Sequence, residues 1–276
     1  DMKIELQKVL KYFNCFEYSP SFEEIYTFYP RKANQKRLKE YIDKTYRHTL
    51  GEYGIESKVK RQKSKVSLNK LHKVKNYLDI IASFPQIRLI GLSGSVAMLN
   101  AKENDDIDLF MVSAKNRLWT TRFIVNIAAL LYGLKRGRYE KQAKDKICLN
   151  LFFSEDHLRI EKKLRTEYMA HEVLQMRPIL DVNQTYRKFL RDNDWILSFF
   201  PNVRLSRYLP SNASSIRFVS KSWVHSGSVL FGNILEMILR KAQLLYMAHP
   251  KGEERIEIGQ LWFHPRDYSR IVKSKV

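Results

Sequence analysis

The chain has 276 residues, 44% hydrophobic and 12% aromatic, which is long enough to bury a sizeable core and too apolar for a disordered chain. Its 49 Lys and Arg against 29 Asp and Glu give a net charge of +20, far beyond what solubility requires. A field of that sign attracts polyanions, chiefly nucleic acid, or an anionic membrane surface, and also draws in nucleoside triphosphates.

Cys15 and Cys148 are too few for a disulfide framework or a zinc cluster, and a reducing cytoplasm is the expected setting. No signal-peptide pattern opens the chain, which begins at Asp1.

The first 80 residues read as a small helical domain. Val9–Phe16 continues a helical apolar pattern, and Ser21-Phe22-Glu23-Glu24 is a capping box that starts a second helix through Phe28, ended by Pro30. Gln35–Arg47 predicts a third helix with Leu38, Tyr41, Ile42 and Tyr46 at core spacing. Gly51-Glu52-Tyr53-Gly54 followed by Ile55–Val59 predicts a turn and a short β wing, and three helices with a wing suggest a winged helix-turn-helix. From Lys58 to Lys75 the chain carries Lys58, Lys60, Arg61, Lys63, Lys65, Lys70, Lys73 and Lys75 and no acidic residue. Such a run is a candidate nucleic-acid backbone surface, with Lys58, Lys60, Arg61, Lys63 and Lys65 foremost. A solvated linker and helix face would show the same run.

Leu68–Phe84 predicts a connecting helix stopped by Pro85. Ile87–Leu92 is an apolar run of the kind a buried strand needs, Ser93-Gly94-Ser95 turns the chain, and Asp106-Ile107-Asp108 leads into a second strand, Leu109–Val112. Ser113 or Asn116 is expected to cap a helix to about Leu134, its apolar side holding Leu118, Trp119, Ile124, Ile127, Leu130 and Leu131. Arg117 and Arg122 on its first turns are candidates for triphosphate oxygens, although surface arginines are common. A basic loop, Lys135–Lys146, which includes Arg136, Arg138, Lys141 and Lys144, feeds a third strand, Ile147–Phe153.

Thr166–Met176 reads as a helix stopped by Pro178, and Thr185–Trp195 as another short one. Pro201–Ser215 is a polar loop. Gly227–Ala248 is a long helix whose Glu236, Arg240 and Lys241 mark it as amphipathic and buried rather than membrane-spanning. A brief strand, Arg255–Ile258, and the segment from Phe263 to Tyr268 close the chain.

The chemistry concentrates between residues 87 and 112. Alternate side chains of a strand share a face, so Asp106 and Asp108 point one way while Ile107 and Leu109 point into the core. Two such carboxylates repel unless a cation sits between them, and hard oxygen ligands suit Mg²⁺ or Mn²⁺. Gly94 permits close backbone approach, and Ser95 offers a hydroxyl and an N–H at the start of Val96–Asn100, where a helix N-terminus would favour phosphate. Rival motifs fail. Gln175 stands where a zinc-protease HExxH starting at His171-Glu172 needs its second His, Ser95 stands where a serine-hydrolase elbow needs Gly, and no GK[ST] follows the glycines. His171 and Glu172 read as either a satisfied core pair or a nucleotide contact.

Gly94-Ser95, a ten-residue spacer and Asp-apolar-Asp-apolar resemble the signature of the DNA polymerase β-like nucleotidyltransferase superfamily, Ser93 being a loose fit for the apolar residue before the glycine. Over most of the chain, the order YFNCFEYSPSFEEI, GLSGSVAMLNAKENDDIDLFMV, RLWTTR, ICLNLFFSEDHL, MAHEVLQMRPI and FHPRDY resembles a group of prokaryotic nucleotidyltransferase-domain proteins with an N-terminal winged-helix-like segment.

The resemblance implies an α+β fold. It comprises a winged-helix-like helical domain at 1–80, a polymerase β-like nucleotidyltransferase core of mixed sheet with flanking helices at 81–160, and a mainly helical region at 161–276. It further implies transfer of a nucleoside monophosphate from an NTP with Mg²⁺ or Mn²⁺ held by Asp106 and Asp108 as the catalytic pair. Gly94, Ser95, Arg117, Arg122 and Asn150 would meet the nucleotide. A nucleic acid, first an RNA or tRNA 3′ end, is the favoured acceptor; a protein hydroxyl or small molecule is the alternative. A further alternative is a nucleic-acid-binding protein on a retired catalytic fold.

Superfamily members commonly place a third acid on the later strand, where this chain carries Cys148 and Asn150. Asn150 can ligate a metal through its amide oxygen but cannot act as general base at neutral pH. Asp145 or Glu155 substituting, water taking the proton, and a weakened or lost activity are the three ways out. In the narrower group Asn at this position is usual.

Overall fold

The structure, a computed structural model, describes residues 2–46, 58–136, 143–205, 229–247 and 255–263. Its strands are β1 (Ile87–Ser93), β2 (Ile107–Ser113), β3 (Ile147–Ser154), β4 (Arg177–Asp181), β5 (Arg255–Glu257) and β6 (Gln260–Trp262), joined in one open sheet of order β4-β1-β2-β3-β6-β5. β2 and β3 run parallel, and the other neighbouring pairs run antiparallel.

The three central strands are apolar on both sides because helices cover both faces. On one face Leu89, Phe110, Val112 and Phe153 share a core with α1 (Met2–Cys15), α2 (Phe22–Thr27), α3 (Gln35–Tyr46), α8 (Glu167–Gln175) and α9 (Thr185–Asp192). On the other, Ile90, Leu92, Leu109 and Met111 meet α5 (Lys75–Ala82), α6 (Gly94–Ala97), α7 (Leu118–Leu131) and α10 (Val229–Tyr246). The fold is α+β, a mixed open sheet with flanking helices. Of the helices that begin within residues 1–80, α1, α2 and α3 share one continuous core with α8, α9 and the sheet, while α5 packs on the other face. No helix among the described residues is long and apolar enough to cross a membrane.

The Ser21 capping box forms as expected, with Glu24 returning to the Ser21 N–H at 2.7 Å. Leu38 and Ile42 are fully buried on α3. Of the expected wing, residues 51–57 lie outside the described residues, and Lys58 and Val59 open a helix, α4 (Lys58–Lys73), instead of ending a strand.

Leu68–Phe84 is not one helix. The backbone of Val74 (φ −98°, ψ 5°) breaks it into α4 and α5 so that the Val74 side chain can be fully buried. The start of α7 buries Leu118 and Trp119 as expected, but its later turns present a different side. Small residues Ala128 and Ala129 face inward with Val125, allowing close approach, while Leu130 and Leu131 are exposed.

Neither Ser113 nor Asn116 caps α7. The Glu236 carboxylate of α10 accepts from the Trp119 and Thr120 N–H groups at 2.8 Å each and from Thr120 Oγ1 at 2.6 Å, filling the positive end of the helix from outside. The predicted helix 185–195 ends at Asp192 and passes into a 3₁₀ turn, Asp194–Ser198. Residues 206–215 of the polar loop, 227–228 and 264–268 lie outside the described residues.

Candidate metal centre

The site is built where β1 turns into α6 beside the start of β2. Antiparallel register sets Ser93 opposite Asp108. The chain then turns through Gly94 at φ +64°, and a Cβ there would collide with Oδ2 of Asp108. Glycine is required twice, for the left-handed backbone and for the space the carboxylate occupies. The Ser95 hydroxyl donates to Asp105 Oδ2 at 2.8 Å, and the same oxygen accepts the Lys102 N–H at 2.9 Å. Ser95 thus closes the loop that leads to the acids.

That loop is clamped from the N-terminal helices. Lys70, 2% exposed, donates from Nζ to the carbonyls of Glu103 and Asp105 at 2.8 Å each and to Asp145 Oδ1 at 2.7 Å. Ser67 accepts the Ala101 N–H at 3.1 Å, and Asn100 donates to the Phe16 carbonyl at 2.9 Å. A buried ammonium with three acceptors is satisfied and fixes the peptide immediately before Asp106.

Asp106, Asp108 and Cys148 bring one donor atom each within 4.8 Å of one another. Parallel pairing puts Cys148 beside Asp108, and a register shift after Leu109 carries the extra residue Asn150 to the same side. Asn150 Nδ2 donates to Asp108 Oδ1 at 2.6 Å, and Asn150 Oδ1 accepts from the Cys148 thiol at 2.8 Å. The Arg136 guanidinium, delivered by the chain after α7, reaches Asp106 Oδ2 at 3.3 Å. In the sequence Arg136 stands only as one residue of a basic loop. Its place follows from the Ile147 N–H bond to the Leu134 carbonyl, which returns this segment to the acid end of the strands.

Burial, then the Asp106 and Glu172 charges, push the Asp108 carboxyl up to about 8. Its residue surface is partly open, but the carboxyl group itself lies deep, and the deep position governs its solvation. Glu172 on α8 is pushed up to about 7 by burial, against a hydrogen bond from Tyr168 that lowers it. Burial pushes the Cys148 thiol up as well, and Asp108 and Asp106 add to the shift.

His171 goes the other way from its helix neighbour Glu172. Its ring stacks on Tyr12 at 3.6 Å and on Phe28 at 4.2 Å, a core position whose burial holds its pKa well below the usual range.

The remaining expected residues are placed elsewhere. Arg117 donates to Asn233 at 2.9 Å and Arg122 to Gln243 at 2.5 Å, so both guanidinium groups dock α10; Arg117 lies beyond the opposite end of β2 from the acids. Asp145 is held by Lys70 and Lys73, and Glu155 by Arg88 and the Lys115 N–H at the far end of β3. On α4, Lys60 and Lys63 donate to the Ser19 and Glu17 carbonyls, while Arg61 and Lys65 are exposed. The Lys58 side chain, Arg138 and Lys141 lie outside the described residues.

Fold and site together define an α+β protein with two carboxylates and a thiol gathered at a glycine turn, a group that can hold a metal ion. Comparison with known proteins found no matching family model, no matching curated protein and no matching solved structure.

Proposed function

We propose that the protein is a metal-dependent nucleotidyltransferase that moves a nucleoside monophosphate from an NTP to a nucleic-acid acceptor, an RNA or tRNA 3′ end being favoured. In this reading the α+β sheet is a polymerase β-like core and α1–α3 its winged-helix-like partner. The observation that carries the reading is the meeting of the Gly94 turn with Asp108: a glycine at φ +64° leaves room for the acid, and Asp106 shares its side of the strand.

The donor set fits a divalent ion. The charge on Asp108 is poorly solvated and lies beside two further carboxylates, an arrangement that a cation relieves. Asp106 and Asp108 would hold Mg²⁺ or Mn²⁺, which when bound supplies neutralisation of charge on the transferring phosphoryl group and the leaving pyrophosphate.

The Gly94-Ser95 turn lets a triphosphate approach the acids at backbone distance. Asn150 donates to Asp108 and holds its carboxylate in place. Glu172, on the same side and raised to about 7, is suited to take the acceptor hydroxyl's proton, the work that a third strand acid would do. Arg136, already at Asp106, is suited to meet phosphate oxygens in place of Arg117 and Arg122. The charge of +20 favours a polyanionic acceptor over a protein or small molecule.

Incubation with each labelled NTP and separate RNA, DNA and protein pools tests this. Label is expected in RNA, with divalent metal only, and lost in Asp106→Asn/Asp108→Asn. Undiminished transfer by that variant would remove the mechanism, and label landing in protein would move the acceptor.

A further inference from the structure

The third donor beside the acid pair is sulfur. Parallel pairing sets Cys148 against Asp108 on adjacent strands, and its Sγ lies within 4.8 Å of a carboxylate oxygen from each of Asp106 and Asp108. We infer that Cys148 Sγ is a direct ligand of the divalent ion, so that this centre selects a borderline-soft cation, Zn²⁺ or Co²⁺ ahead of Mn²⁺, and takes Mg²⁺ weakly. The inference rests on the reading that Asp106 and Asp108 hold a metal.

The reasoning is one of donor chemistry. Mg²⁺ demands near-octahedral oxygen ligation and gains little from a thiolate, whereas thiolate sulfur draws Zn²⁺ and Co²⁺. Metal–oxygen and metal–sulfur bonds of about 2.0–2.3 Å hold two donors of one ion no more than about 4.3 Å apart, so the three donors, all within 4.8 Å of one another, draw together around the ion when it binds. On binding, the Cys148 S–H bond breaks, its electron pair passes to the metal as the S–metal bond and the proton leaves to water.

Asn150 bonds both neighbours, donating from Nδ2 to Asp108 and accepting from the thiol at Oδ1; the first bond persists when an ion binds, and the second is given up with the thiol proton. Arg136 occupies Asp106 Oδ2 at 3.3 Å, so an ion takes the other oxygen of Asp106 or displaces the guanidinium. The other cysteine, Cys15, ends α1 and provides a control.

The test is a Co²⁺ titration of the full chain stripped with chelator, read by the near-ultraviolet thiolate-to-cobalt absorption, followed by competition with Zn²⁺, Mn²⁺ and Mg²⁺. One equivalent of Co²⁺ is expected to raise the band in wild type and in Cys15→Ser, and Zn²⁺ but not Mg²⁺ is expected to discharge it. Cys148→Ser is expected to lose the band and bind Zn²⁺ at least about tenfold more weakly.

Alkylation mapping on wild type gives a reading that needs no variant: Zn²⁺ protects Cys148, and Mg²⁺ at equal concentration does not. Co²⁺ bound without the band, or Zn²⁺ bound by Cys148→Ser as tightly as by wild type, would overturn the assignment. The band in a protein that transfers no nucleotide would sink the enzymatic reading and leave this one standing. Transfer by a protein that never shows the band would do the reverse.

Discussion

Gly94 carries a double constraint that no other residue type meets, since its backbone is left-handed and its missing side chain is the space in which Asp108 sits. Gly94→Ala is expected to destabilise the fold by roughly 1–2 kcal/mol in urea unfolding and to displace the Asp108 carboxyl, weakening Mn²⁺ binding beyond detection. Wild-type stability and metal affinity in that variant would contradict the steric account.

Asp108 makes a second, pH-dependent prediction. Its folded pKa of about 8 stands above the ordinary carboxylate value of about 3.9, so between those two pH values the folded chain keeps a proton that the unfolded chain has lost. The Asp108 contribution to stability is then fully present below about pH 4 and declines as pH rises through 8. Asp108→Asn removes that decline. Measured in chelator, the variant should gain on wild type from pH 5 to pH 9, and a constant difference across that range would refute the assignment. The acid pair and Gly94 were legible in the sequence because strand alternation and turn geometry are local. Cys148 was legible at the third-acid position of the later strand and Glu172 as a core residue or nucleotide contact, but Arg136 only as part of a basic loop, since the return of the chain after α7 is what brings it to the acids.

At the scale of elements, α4 shows how composition misleads when faces are ignored. Lys65 and Lys70 belong to one basic run, yet Lys65 lies on the exposed side and Lys70 is sealed against Glu103, Asp105 and Asp145. Lys70→Met is expected to cost about 2–3 kcal/mol because it leaves two carbonyls without their donor and Asp145 with Lys73 alone. Lys65→Ala should stay within about 0.5 kcal/mol, and equal effects in thermal unfolding would contradict the assignment of faces.

β1, β2 and β3 were readable as apolar runs, and α8 as a helix stopped by Pro178; its cap, Thr166 Oγ1 accepting the Met169 N–H, is shown by the structure. β4 was hidden by Pro178, which an edge strand tolerates and a sequence pattern penalises. β6 was hidden by its length of three residues and by a buried Gln260 that donates to the His157 and Arg159 carbonyls. The break at Val74 carries neither Gly nor Pro, so nothing local announces it; tertiary burial of the side chain decides it.

For the whole molecule, a charge of +20 makes affinity for a polyanion steeply salt-dependent. Arg61→Ala/Lys65→Ala, both on exposed positions of α4, is expected to reduce the log–log salt slope of RNA binding by about 2. An unaltered slope would move the nucleic-acid surface away from this helix.

The N-terminal helices do more than carry charge, because Lys70, Ser67 and the Phe16 carbonyl hold the loop that presents Asp106. The basic helix α4 and the loop that presents the acid pair are thus held together by direct hydrogen bonds. The measurement that reaches this most directly is Mn²⁺ binding followed by electron paramagnetic resonance, with and without a non-hydrolysable NTP, in wild type and in Asp106→Asn/Asp108→Asn. Mn²⁺ should bind wild type, tighten when the nucleotide is added and fail to bind the variant. Binding that is absent from wild type, or equal in the two proteins, would contradict the account.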